Sequence, residues 1–102
     1  MLSIINTLVK ALSASDTVEQ IILYGSRARG DNEPRSDIDL AVFCPSASSS
    51  EWMEFIRLME ASQTLYFIDL VRLDEASRGF KERILAEGKI LYERNQGKTI
   101  SS

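Results

Sequence analysis

The 102-residue chain contains no histidine. That absence excludes a Ser-His-Asp triad, a Cys-His nucleophile pair and every histidine-ligated zinc site from within the chain. Its single cysteine, Cys44, has no internal partner for a disulfide. Lying between Phe43 and Pro45, with no basic helical neighbourhood to activate it, Cys44 reads as a small strand-end residue. Positive charge is also in deficit: 12 Lys and Arg face 15 Asp and Glu, for a net charge of −3. This argues against a broad electrostatic grip on a long nucleic acid. No apolar run approaches a membrane span, and the N-terminus lacks the basic start and cleavage site of a signal peptide, so no membrane association and a cytoplasmic location are expected. The length suits one domain with one core and leaves no room for a second lobe, so anything that closes over a substrate is expected to come from a partner.

What the chain does have is concentrated in Leu23 to Phe43, LYGSRARGDNEPRSDIDLAVF. Ile21 to Tyr24 form a short apolar run that stops at Gly25 and gives way to helix-tolerant residues, a strand-turn-helix pattern. Gly25 permits close backbone approach, and Ser26 at the start of a short helix would offer free N–H groups and a positive dipole end to an anion such as a phosphate. The turn is not a Walker loop, because it lacks the GK[ST] ending. Further on, Asp37 and Asp39 occupy alternate positions of a second strand. Side chains two apart on a strand share a face, about 6.5 to 7 Å apart, so both carboxylates can converge on one cation. All-oxygen ligation suits Mg²⁺ or Mn²⁺, commonly with substrate phosphates completing the shell. Arg27, Arg29 and Arg35 either steer a triphosphate or neutralise Asp31, Glu33 and the metal-site carboxylates.

A third acidic position lies in Leu65-Tyr66-Phe67-Ile68-Asp69-Leu70-Val71, which reads by composition as a buried strand. An aspartate inside such a run is costly unless paired or metal-bound. Asp69 is therefore either a metal ligand or a carboxylate that sits at a strand end or pairs with an arginine.

Around these segments, Leu2, Ile5, Leu8, Val9 and Leu12 recur at helical spacing and predict a first helix over residues 2 to 12. The serine-rich stretch Ser46 to Ser50 is a linker, in which Ser48 with Glu51 forms a capping box for a helix of about Glu51 to Gln63. Trp52, Phe55, Ile56 and Met59 make its core-facing stripe. A last helix of about Ser77 to Glu87 buries Phe80, Ile84 and Leu85 and stops at Gly88. Lys89 to Tyr92 form a short final strand, and residues 94 to 102 a polar, mobile tail. The fold class is α/β, a small mixed sheet of three to four strands flanked by helices, over a domain of residues 1 to 93.

Gly25-Ser26-Arg27-Ala28-Arg29-Gly30, six intervening residues, then Asp37-Ile38-Asp39-Leu40 resembles the signature of the DNA polymerase β-like nucleotidyltransferase superfamily. Within it, the chain is most similar to the minimal nucleotidyltransferase (MNT) branch, the antitoxins encoded beside HEPN-domain toxins. The likeness extends over nearly the whole chain. It implies the polymerase β-like fold, ATP as substrate, and a third catalytic carboxylate at Asp69 beside Asp37 and Asp39.

The chemistry of such a transfer calls for two divalent ions holding the attacking and leaving oxygens of an in-line displacement. Asp37 and Asp39 are then expected to bind the ions on the triphosphate. Asp69 is expected to ligate the ion near the acceptor and accept its hydroxyl proton. Gly25 and Ser26 bind the β and γ phosphates, and Arg29 either braces the site or touches phosphate. The resemblance implies that AMP goes to a tyrosine of a cognate HEPN toxin, in a hetero-oligomer with it. Two alternatives remain open at this stage: an antitoxin or scaffold subunit that inhibits its partner by binding alone, and adenylylation of a small hydroxylated molecule such as an aminoglycoside.

Overall fold

A computed structural model of the chain describes residues 2–25, 38–62 and 67–94. The elements run α1 (Leu2–Ser13), β1 (Gln20–Tyr24), β2 (Ile38–Phe43), α2 (Ser49–Ala61), β3 (Ile68–Arg72), a short 3-10 turn (Leu73–Glu75), α3 (Arg78–Glu87) and β4 (Lys89–Glu93). The four strands make one mixed sheet in the order β3-β2-β1-β4. β1 is antiparallel to both β2 and β4, while β2 and β3 are parallel and joined across the sheet by α2.

Alternation along the strands divides the apolar residues between two faces. Ile21, Leu23, Ile38, Leu40 and Val42 point to the face covered by α1 and α2, where Ile5, Leu8, Leu12, Phe55 and Met59 complete the main core. Ile22 and Ala41 point the other way and meet only Leu73 and Ile84, with Tyr24 and Phe43 at the margin. Among the described residues, two helices thus cover one face and one helix the other. A helix is about 10–12 Å wide, and four strands spaced about 4.7–4.9 Å apart span more than that. α3 alone therefore does not reach across the second face to β3.

This corrects two expectations. Along α3 only Ile84 is buried, whereas Phe80 is 38% and Leu85 54% exposed, because the small second core has room for one side chain of the helix. β3 is the outermost strand rather than a buried one, and its Asp69 is exposed. Asp69 thus pays no burial penalty of the kind the apolar run suggested.

The ends of the elements follow local chemistry. Ser48 Oγ accepts the Glu51 N–H at the start of α2 (3.1 Å), but the Glu51 carboxylate accepts from Ser15 Oγ in the α1–β1 connection, so half of the capping box has become a tertiary contact. Gly88 ends α3 with φ −81°, an angle open to any residue. Its glycine is required by space: a Cβ there would lie 2.4 Å from Ile22 Cγ2 and 2.6 Å from the Ile84 carbonyl oxygen. Arg94, assigned from sequence to the polar tail, is held to the fold: its N–H donates to the Glu19 carbonyl (2.9 Å) and its guanidinium to the carbonyls of Val18 (3.1 Å) and Ser15 (2.8 Å). Residues 95 to 102 lie outside the described residues.

Cys44 is fully buried just past β2. Burial, and then the Asp74 carboxylate, push its thiol up to about 11. Against an ordinary value of 9.0, that leaves about 100-fold less thiolate at neutral pH. Iodoacetamide is expected to alkylate Cys44 at least that much more slowly in the native protein than in guanidinium, as read by intact mass. Comparable rates would show that the strand end opens readily.

Candidate active site

The acidic residues of two strands meet on the second face, beyond the reach of α3. Pairing register places Tyr24 of β1 opposite Asp39 of β2, and Asp39 opposite Asp69 of β3, so the three residues form one row across the sheet. Residues paired across adjacent strands share a face. Tyr24, on the face of the second core, thus fixes the side to which Asp39 and Asp69 point. Two aspartates on adjacent strands, whose backbones lie about 4.7–4.9 Å apart, are an all-oxygen donor set that fits a hard divalent cation such as Mg²⁺ or Mn²⁺. Among the described residues no group of three metal-ligating side chains forms. Asp37, the expected partner on β2, lies outside them, as do Ser26 and Arg29.

Gly25 follows Tyr24 with φ +80°, in the left-handed region, where a side chain would be strained. The Asp39 carboxylate fills the space beside it: a Cβ on Gly25 would come within 2.5 Å of Asp39 Oδ2. The glycine thus turns the chain at the end of β1 and lets the backbone run against the carboxylate. The sequence predicts phosphate approach at Gly25; the structure shows its contact with Asp39, visible only once the strands are paired.

Tyr24 was missed as a site residue, and its place immediately before the glycine turn was the available signal. Its ring meets Phe80 of α3 edge-on, with centroids 5.8 Å apart and planes at 82°. Burial, then the negative charges of Asp69 and Asp39, push its hydroxyl up to about 12 from an ordinary value of 10.0. The unfolded chain thus releases this proton at lower pH than the folded protein. Stability from this group is complete below pH 10, and is lost as pH rises through about 12. A tyrosinate absorbance titration is expected to show one tyrosine ionising late, and Tyr24→Phe to remove both that late phase and the matching alkaline loss of stability. Three tyrosines titrating together near pH 10 would refute the assignment.

A cavity of about 410 Å³ opens on the outer side of β3, with Asp69 in its wall next to Phe67, Ile56, Met59 and Glu60. Phe67 was read from sequence as an ordinary strand residue, yet it is 67% exposed.

The family described as Polymerase beta, Nucleotidyltransferase matches residues 6–97 of the chain. No curated protein matches significantly. Among solved structures, a chain of a toxin-antitoxin crystallised with AMP-PNP is 28% identical, with a TM-score of 0.71 over 93% of this chain and 77% of that one. A chain of the MntA-HepT toxin-antitoxin is 26% identical, with a TM-score of 0.64 over 93% of this chain and 74% of that one. The same values hold for a chain of the tri-AMPylated Shewanella oneidensis HEPN toxin in complex with its MNT antitoxin.

Proposed function

The chain belongs to the polymerase beta nucleotidyltransferase family, and from that premise we propose that it is an antitoxin that transfers AMP from ATP to a hydroxyl of a cognate HEPN toxin, with a tyrosine as the expected acceptor. The observation that carries this reading is the pairing of Asp39 with Asp69 on one face of the sheet, beside a glycine turn that leaves the Asp39 carboxylate its space. The similar structure in which a HEPN toxin bears three AMP groups beside its MNT antitoxin supports the acceptor class, and the AMP-PNP of another supports the nucleotide.

In this reading Asp37, Asp39 and Asp69 hold two Mg²⁺ or Mn²⁺ ions, which when bound neutralise the triphosphate and orient it. The backbone at Gly25 and Ser26 would receive the β and γ phosphates, with Arg29 to brace the site or touch phosphate. The acceptor oxygen bonds to the α-phosphorus as the bond from that phosphorus to the β-bridging oxygen breaks. Pyrophosphate leaves towards Gly25 and Ser26, and the hydroxyl proton passes to the Asp69 carboxylate. The exposure of Asp69 suits this role, because an acceptor carried by another protein must reach it from outside.

The test is the intact mass of the HEPN-domain protein encoded beside this chain, after co-expression with the wild type and with an Asp37→Ala, Asp39→Ala double variant. Whole adenylate increments with wild type alone are expected. An unmodified partner bound equally tightly by both chains would overturn transfer and leave inhibition by binding.

A further inference from the structure

We propose that the cavity on the outer side of β3 is the docking pocket for the polypeptide segment that carries the acceptor hydroxyl, and that it receives an apolar or aromatic side chain next to that hydroxyl together with a basic residue. The inference rests on the transfer reading above and specifies which surface of the chain selects the acceptor.

Direction comes first. The row across the sheet runs from Tyr24, followed by the Gly25 turn, through Asp39 to Asp69. An in-line displacement keeps leaving and attacking oxygens on opposite sides of the phosphorus. With pyrophosphate leaving at the Gly25 end, the attacking hydroxyl must arrive over Asp69, from the β3 side. The cavity begins there, since Asp69 belongs to its wall.

Chemistry then selects the occupant. Ile56, Met59 and Phe67 supply an apolar wall, and among the described residues the ionisable ones lining the cavity, Glu60 and Asp69, are both acidic. With Asp69 committed to the ions in this reading, the Glu60 carboxylate disfavours the phosphates of a second nucleotide. A polycationic sugar would meet Glu60 but leave the apolar wall unmatched. A peptide segment with an apolar or aromatic residue beside its acceptor tyrosine, and a lysine or arginine for Glu60, satisfies both. β3 is also the last strand of the sheet, so an extended segment can lie along its outer edge. Phe67, two residues from Asp69 and largely in water, is the side chain such a segment would cover. The transfer itself is balanced as above: the segment's hydroxyl oxygen gains the α-phosphorus, pyrophosphate leaves, and the proton goes to Asp69.

The experiment uses the whole chain with the HEPN-domain protein encoded beside it. Phe67→Ser and Glu60→Lys change exposed side chains, and thermal melting checks that both variants fold. Each is expected to lower kcat/KM for the protein acceptor by about tenfold or more, with AMP-PNP affinity held within about twofold. The Glu60→Lys loss should grow as salt is lowered. With Phe67 replaced by photoreactive p-benzoylphenylalanine, the cross-link is expected in the partner peptide that bears the adenylate. Wild-type kcat/KM in both variants, or a cross-link elsewhere on the partner, overturns the pocket while leaving transfer intact. Absence of any adduct with the wild-type chain overturns the transfer reading itself.

Discussion

Asn in place of either Asp39 or Asp69 is expected to lower adenylate transfer by on the order of 10³-fold, and at the exposed Asp69 to leave the protein as stable as before, or more so. Asparagine keeps the shape of aspartate and removes its charge, so the change tests ligation and proton acceptance rather than packing. The register sets the two carboxylates directly opposite each other on adjacent strands. Like charges placed so destabilise a sheet by roughly 0.2–1 kcal/mol. Neutralising the exposed Asp69 relieves that repulsion, and at about 4–8 °C per kcal/mol for a domain of this size the melting temperature of Asp69→Asn should rise by up to a few degrees. The cation provides a second readout: Mg²⁺ with AMP-PNP should raise the melting temperature of wild type and much less that of either variant, because a ligand stabilises only the state that binds it. Activity lost together with stability would instead make Asp39 and Asp69 structural residues.

Much of this was legible in the sequence because the signals were short-range. The helical spacing of Ile5, Leu8 and Leu12 and the Ser48 cap report on contacts within a few residues, and both stand as read. The Gly25 turn could be located for the same reason. The exposure of Asp69 could not be read, since the same apolar string fits a central strand or an edge one, and only the sheet order decides. Leu85 went wrong for a related cause. Its helical spacing marked an apolar stripe, but the width of that stripe in contact depends on how much sheet the helix crosses, a long-range quantity. Phe67 shows the cost of treating every aromatic in a strand-like run as core. Its exposure followed only from the position of β3 at the sheet's rim.

The largest expected loss of stability lies away from the acidic row, at Arg72. Its guanidinium is nearly buried and makes three directed bonds, to Asp74 Oδ2 through Nε (2.9 Å) and to the carbonyls of Cys44 (3.0 Å) and Ala47 (2.8 Å) through Nη2. The Trp52 ring lies 6.0 Å away, and Asp74 Oδ1 in turn accepts the Cys44 N–H (3.1 Å). Burial acts to lower the Arg72 pKa, but the hydrogen bond and charge of Asp74 outweigh it and raise the value above its ordinary level, so the guanidinium stays charged. Arg72→Ala strands a largely buried carboxylate and two carbonyls at once, which costs about 3–5 kcal/mol when a buried pair is broken. Melting should fall by on the order of 15 °C. Arg72→Lys keeps the charge but not the planar fork, and one ammonium cannot reach all three acceptors, so an intermediate loss is expected. In a double-mutant cycle by urea denaturation, Asp74→Ala should cost much less in the Arg72→Ala background than in wild type. The cluster also bears on the active site. Arg72 closes β3 and is paired with Val42 of β2, and it grips the connection that follows β2. A one-residue slip of β3 would turn Asp69 to the opposite face. Arg72 thus opposes the slip that would separate Asp69 from Asp39. A loss below about 1 kcal/mol for Arg72→Ala would place the cluster among exposed ion pairs and remove it from that role.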